Sequence, residues 1–157
     1  MTADLASRIA GLLDAYSVMS LATIGADGPH AASLFYARDD FTLIWVSEPA
    51  SRHSRHIAER AAVAATIAAA DHCDFAQVKG LQLRGRARRI VGAAERAQAR
   101  QQLQARYPFL QRLSAGDVRE AYDRAEFYRL EPEHITLIDN TRGFGSKEVL
   151  VCPVAFN

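Results

Sequence analysis

Ser47, Ser51, Arg52 and His53 bring two hydroxyls, a guanidinium and an imidazole into one short stretch of the chain. An apolar run of strand formers, Leu43-Ile44-Trp45-Val46, ends at Ser47, and a turn with Pro49 follows. Ser51 then stands where a helix N-cap belongs, ahead of Arg52-His53-Ser54-Arg55. A helix mouth offers free backbone N–H groups, and a guanidinium beside it adds a fixed positive charge. Together they suit an oxyanion, above all a phosphate. The preceding strand supplies an apolar wall on which a flat ring can lie, so the combination points to a nucleotide-like cofactor. The same residues also read as an ordinary capped helix start with solvent-facing arginines.

Other reactive groups form weaker patterns. His53 and His56 are spaced i, i+3 and, with His72 and Cys73, would invite a metal or a heme. No tight ligand spacing supports that set, and no metal site is assigned. A nucleophile-elbow signature is lacking, and no catalytic acid or base stands out. Gln82, Arg84, Arg86 and Arg88 share one face of a strand. A nucleic-acid surface there is opposed by the formal charge of +1 and the single tryptophan.

The elements that must position these groups follow from periodicity. Leu5, Ile9, Leu12, Leu13 and Tyr16 predict an amphipathic helix over 3–15. Strands are expected at 17–25, 29–38 and 41–47, joined by the Gly25-Ala26-Asp27-Gly28 and Asp39-Asp40 turns into an antiparallel meander. A short helix covers 51–59. Val63, Thr66 and Ile67 make 61–69 a buried strand. A long strand at 75–91 bends at Gly80 or Gly85. Helices at 93–106 and 115–125 precede two strands, 126–131 and 134–139, split near Pro132, and 140–157 is an irregular tail. Consecutive strands with a few outlying helices indicate a closed or partly open antiparallel barrel.

The 157 residues, 49% of them hydrophobic, suffice for one domain with a real core. Helix 1–16, barrel 17–139 and tail 140–157 make up that single domain. The near-neutral charge predicts neither a nucleic-acid nor a membrane partner, and no apolar run approaches the roughly 20 residues of a membrane span. Two distant cysteines, Cys73 and Cys152, and an N-terminus unlike a signal peptide fit a reducing cytoplasm.

The order of these elements resembles the pyridoxamine 5′-phosphate oxidase-like, FMN-binding split-barrel family, best over 17–91. Ala31-Ala32-Ser33-Leu34-Phe35-Tyr36 corresponds to the family strand that borders the flavin. Val46 and Ser47 stand where the third strand meets the cofactor. Ser51-Arg52-His53 is similar to the family's Ser-Arg-Lys phosphate triplet, with His in place of Lys, and Gly85-Arg86-Ala87 resembles a Gly-Lys/Arg-Ala strand signature. Asn140-Thr141-Arg142-Gly143-Phe144-Gly145-Ser146-Lys147 matches a segment found in a small, poorly characterised bacterial branch.

The resemblance implies a mainly β fold with peripheral helices: a six-stranded antiparallel split β-barrel of Greek-key type, forming a homodimer with FMN at the two-fold interface. It places Ala32, Ser33, Leu34, Phe35, Val46 and Gln82 at the ring and Ser47, Ser51, Arg52 and His53 at the phosphate. Phe144 and Lys147 would reach across from the partner subunit. The C-terminal Arg-x-His-Asp-Arg-like segment that holds pyridoxamine in the true oxidase is absent, so that substrate is not carried over. The expected function is an FMN-dependent oxidoreductase acting on a small molecule. The alternative is a non-catalytic heme- or flavin-binding protein in storage or sensing, because some split-barrel relatives bind heme or a deazaflavin.

Overall fold

The computed structural model describes residues 2–69, 71 and 74–153. The chain opens with helix α1 (Thr2–Ala15) and the hairpin β1 (Val18–Gly25) and β2 (Gly28–Phe35). Strands β3 (Ala37–Asp39) and β4 (Thr42–Ser47), helix α2 (Arg52–Glu59) and strand β5 (Ala62–Ala68) follow. The long strand β6 (Lys79–Arg89) leads to helices α3 (Ala93–Arg106) and α4 (Asp117–Arg124), then to β7 (Glu126–Asp139) and β8 (Lys147–Val151).

All pairings are antiparallel, in the order β2-β1-β5-β6-β7-β4-β3, with β8 added to the outer half of β7. The first and last strands of that order are consecutive in the chain. Residues 28–39 form one bent strand, interrupted at Tyr36, that pairs with β1 by its first part and with β4 by its second. Counting that bent strand once, six members close the ring, in the expected Greek-key arrangement. The ring is split because β2 pairs only with β1 among the described residues, and its second edge is open.

Two expectations are corrected. Residues 126–139 are one continuous strand rather than two. The irregularity is a bulge in that strand: as β6 steps from Arg84 to Gly85, β7 steps from His134 to Pro132, which leaves Glu133 as the extra residue. A Cβ at Gly85 would stand 2.1 Å from the Glu131 carbonyl oxygen, so the bulge requires glycine there. The tail is also more regular than its composition suggests: Lys147–Val151 pairs with β7 as β8.

The main core fills the barrel. Leu5, Ile9 and Leu13 of α1 pack against Met19, Leu21, Trp45, Leu81, Leu130 and Ile135. A second cluster lies outside the barrel, where Ala99 and Leu103 of α3 cover Ala37, Ile44 and Phe127. Cover on both faces explains why β4 shows an apolar run rather than alternation.

Candidate functional site

Ser47 closes β4, and a tight turn returns the chain so that the Ser51 N–H bonds the Glu48 carbonyl at 3.0 Å. Ser51 is the N-cap of α2, with extended φ/ψ and its hydroxyl 3.4 Å from the Ser54 N–H. The His53 side chain turns inward. Its Nε2 lies 2.8 Å from the Ser47 hydroxyl and 3.2 Å from that of Ser51, which donates onward to Ser54. Ser47, Ser51 and His53 thus converge on one point. Arg52 stands beside them with its side chain 56% exposed. Burial, and secondarily the nearby His30 and His56, push the His53 pKa below the ordinary histidine value, so this imidazole is neutral near pH 7.

The structure adds three residues that the sequence reading did not single out. His30 of β2 stacks parallel to His53, ring centroids 6.2 Å apart, and meets His56 edge-on at 6.1 Å. Thr23 of β1 lies 3.0 Å from His56 Nδ1. Asp27, in the β1–β2 turn, takes the other side of that ring at Nε2 and also faces the Arg52 guanidinium at 3.4 Å. The hydrogen bond from His56 is the main reason the Asp27 carboxyl titrates below its usual range. A Cβ at Gly25 would meet the His56 ring at 2.3 Å, so glycine lets the helix dock on the hairpin. The available signal was the Gly25-Ala26-Asp27-Gly28 turn followed by His30, but nothing local shows that it folds onto α2.

The ring-side candidates divide between two faces. Ala32 and Leu34 are half-buried on the inner side of β2, whereas Ser33 and Phe35 point outward. The open edge of β2 leaves backbone N–H and C=O groups of 29–35 available, in the alternation a heterocycle's donors and acceptors can match. Val46 is half-buried on β4. Gln82 is exposed on the outer face, in register with Thr66 and Thr136, and Thr66 pairs with Ser20, which pairs with Ser33. These five polar residues form one row across the outer sheet.

Phe144 and Lys147 stand apart from the mouth of α2 within one chain. Lys147 pairs with Ile138, which pairs with Gly80, whereas the Asp27 turn lies at the Arg86 end of the ladder. The rise of β6 from Gly80 to Arg86 is about 20 Å. Phe144 is 83% exposed in a turn where Gly143 and Gly145 have φ of 134° and 77°. Of the residues raised for a metal or heme, His72 and Cys73 lie outside the described residues. Among the described residues no group of three His, Cys, Asp or Glu side chains is placed to hold a metal ion. No described helix is long and apolar enough to cross a membrane.

Comparison with known proteins agrees with this architecture. Residues 5–139 match the family described as pyridoxamine 5′-phosphate oxidase. A UPF0306 protein of Klebsiella pneumoniae is 33% identical over 118 residues, covering 74% of this chain and 72% of its own. A heme binding protein from Mycobacterium smegmatis superposes with a TM-score of 0.73 at 20% identity, over 96% of this chain and 58% of that one. The heme storage protein HutZ from Vibrio cholerae gives 0.66 at 16%, over 81% and 89%. The chain therefore belongs to the pyridoxamine 5′-phosphate oxidase family and has its split-barrel fold.

Proposed function

We propose that the chain is a cytoplasmic FMN-binding flavoprotein and an oxidoreductase for a small organic molecule. One observation carries this reading: His30 of β2, a strand with an open edge, stacks against His53 in the first turn of α2. A strand able to pair with a heterocycle at its free edge and a helix mouth able to take a phosphate thus lie side by side. The residues fit the phosphate as far as polarity goes, since two hydroxyls, one guanidinium and the first-turn N–H groups converge there. His53, neutral and held by Ser47, shapes the mouth instead of adding the charge of the lysine it replaces.

Bound FMN would supply the electron-transfer chemistry itself. The chain's own residues bind and orient it: Arg52, Ser51 and Ser47 toward the phosphate, the backbone of Ala32–Phe35 with Val46 along the ring, and Gln82 from the outer face. The family is generally dimeric. A second copy would bring Phe144 and Lys147 to a site from which they are far removed within one chain. The pyridoxamine substrate is not part of this reading.

A non-catalytic heme-binding role is the second reading. His30 favours it, because its half-buried imidazole hydrogen-bonds to no described residue. The visible spectrum of the purified protein separates the two. Bands of oxidised flavin, released as FMN on denaturation, are expected. A Soret band that His30→Ala abolishes would replace the first reading with the second.

A further inference from the structure

The Arg52 guanidinium already has an anion beside it, and that anion is held from behind. Thr23 fixes His56, His56 fixes Asp27, and Asp27 faces Arg52. The grip is uneven along this line. The Asp27–His56 contact is short and His56 is 3% exposed, whereas the Asp27–Arg52 contact is 3.4 Å between side chains that are both about half exposed. The carboxylate is the fixed partner and the guanidinium the movable one.

The helix itself explains why the carboxylate is there. The first turn of α2 contains Arg52 and no acidic residue, an unfavourable placement of positive charge at a helix N-terminus. The neighbouring Glu48 is paired with Arg124 instead. Asp27, brought in by the β1–β2 turn, supplies the missing negative charge.

We propose that Asp27 is a built-in counter-anion for Arg52, which an incoming phosphate displaces, so that ligand entry exchanges one anion for another. This deepens the reading of α2 as a phosphate-binding mouth and rests on it. Asp27 stabilises the empty protein and opposes the loaded one, and its removal acts with opposite sign on the two. A residue that merely positioned Arg52 for the ligand would weaken binding when removed.

The test uses Asp27→Asn, with Asp27→Ala as a second variant because the side chain lies on an exposed turn. Thermal melts are run with inorganic phosphate against chloride at equal ionic strength, and FMN and riboflavin are titrated by fluorescence. Both variants are expected to melt lower than wild type without phosphate and to gain more from it. FMN affinity should rise about 2- to 5-fold, the scale of an exposed charge pair, and riboflavin affinity should stay unchanged. In an Arg52→Ala background, Asp27→Asn should leave the phosphate response unaltered. Weaker FMN binding, equal shifts for both flavins, or no phosphate response in any variant would overturn the exchange. A phosphate response that grows in Asp27→Asn, with neither flavin bound, would keep the exchange and remove the flavin reading.

Discussion

Two helix ends meet this barrel, and they are completed in opposite ways. At the C-terminus of α1 the exposed carbonyls are claimed from within. Arg106 of α3 donates to the carbonyls of Leu13, Asp14 and Tyr16, the buried Tyr36 hydroxyl bonds those of Leu13 and Tyr16, and the guanidinium lies 4.8 Å from the Tyr36 ring centroid. At the N-terminus of α2 the side-chain cap is Ser51, at 3.4 Å, and the guanidinium alongside is half exposed. One terminus is closed by side chains from elsewhere in the fold; at the other, Ser47, His53 and Ser54 are buried in their own network while Ser51 and Arg52 reach the surface.

The largest effect that would sharpen this contrast is at the closed end. Arg106→Ala removes a charged donor from three carbonyls and should lower the unfolding free energy by roughly 2–3 kcal/mol in urea titrations. Flavin affinity of the folded fraction should be unaffected. Tyr36→Phe should cost about 1–2 kcal/mol for the same reason.

The two ends should also fail at opposite ends of the pH scale. Burial raises the Tyr36 phenol to about 12, above its unfolded value of about 10. Its contribution is therefore full below about pH 10 and is lost as pH rises through about 12. His53 is shifted the other way, downward. Its contribution is present above the unfolded value of about 6.5 and is lost as pH falls through the lower folded value. Tyr36→Phe should flatten the alkaline limb of a stability–pH profile and His53→Gln the acid limb. A His53→Gln profile with an unchanged acid limb would break the symmetry.

The smallest effect concerns the tail. Phe144→Ala should weaken flavin binding by about 1 kcal/mol, the scale of one stacked ring, and raise flavin fluorescence more visibly, because a second copy is expected to bring that ring to the site. Unchanged flavin emission with a lower melting temperature of the apo protein would place Phe144 on its own barrel wall.

Most of the barrel was legible because its signals are local. The β1–β2 turn, the Asp39-Asp40 turn and the alternation of β5 and β6 each report on a few neighbouring residues. Pro132 misled because a proline suggests a broken strand, whereas β7 takes up the irregularity as a bulge at Glu133 and stays paired, with Gly85, distant in sequence, making room for the Glu131 carbonyl. The site was legible only in the Ser47–His53 stretch, where ligand groups are contiguous. Thr23, Asp27 and His30 reach α2 through the β1–β2 hairpin, and no local pattern encodes that docking. Nor could the sequence show that His53 is turned inward onto Ser47, where burial lowers its pKa.

The central claim is that the mouth of α2 is reserved for a ligand's phosphate. Calorimetric titration of wild type and Arg52→Ala with FMN and with riboflavin tests it most directly. Loss of the guanidinium should weaken FMN about 10-fold, within the range of a charged hydrogen bond, and leave riboflavin nearly unchanged. Equal losses for the two flavins, or an Arg52→Ala protein destabilised as severely as Arg106→Ala, would contradict the account.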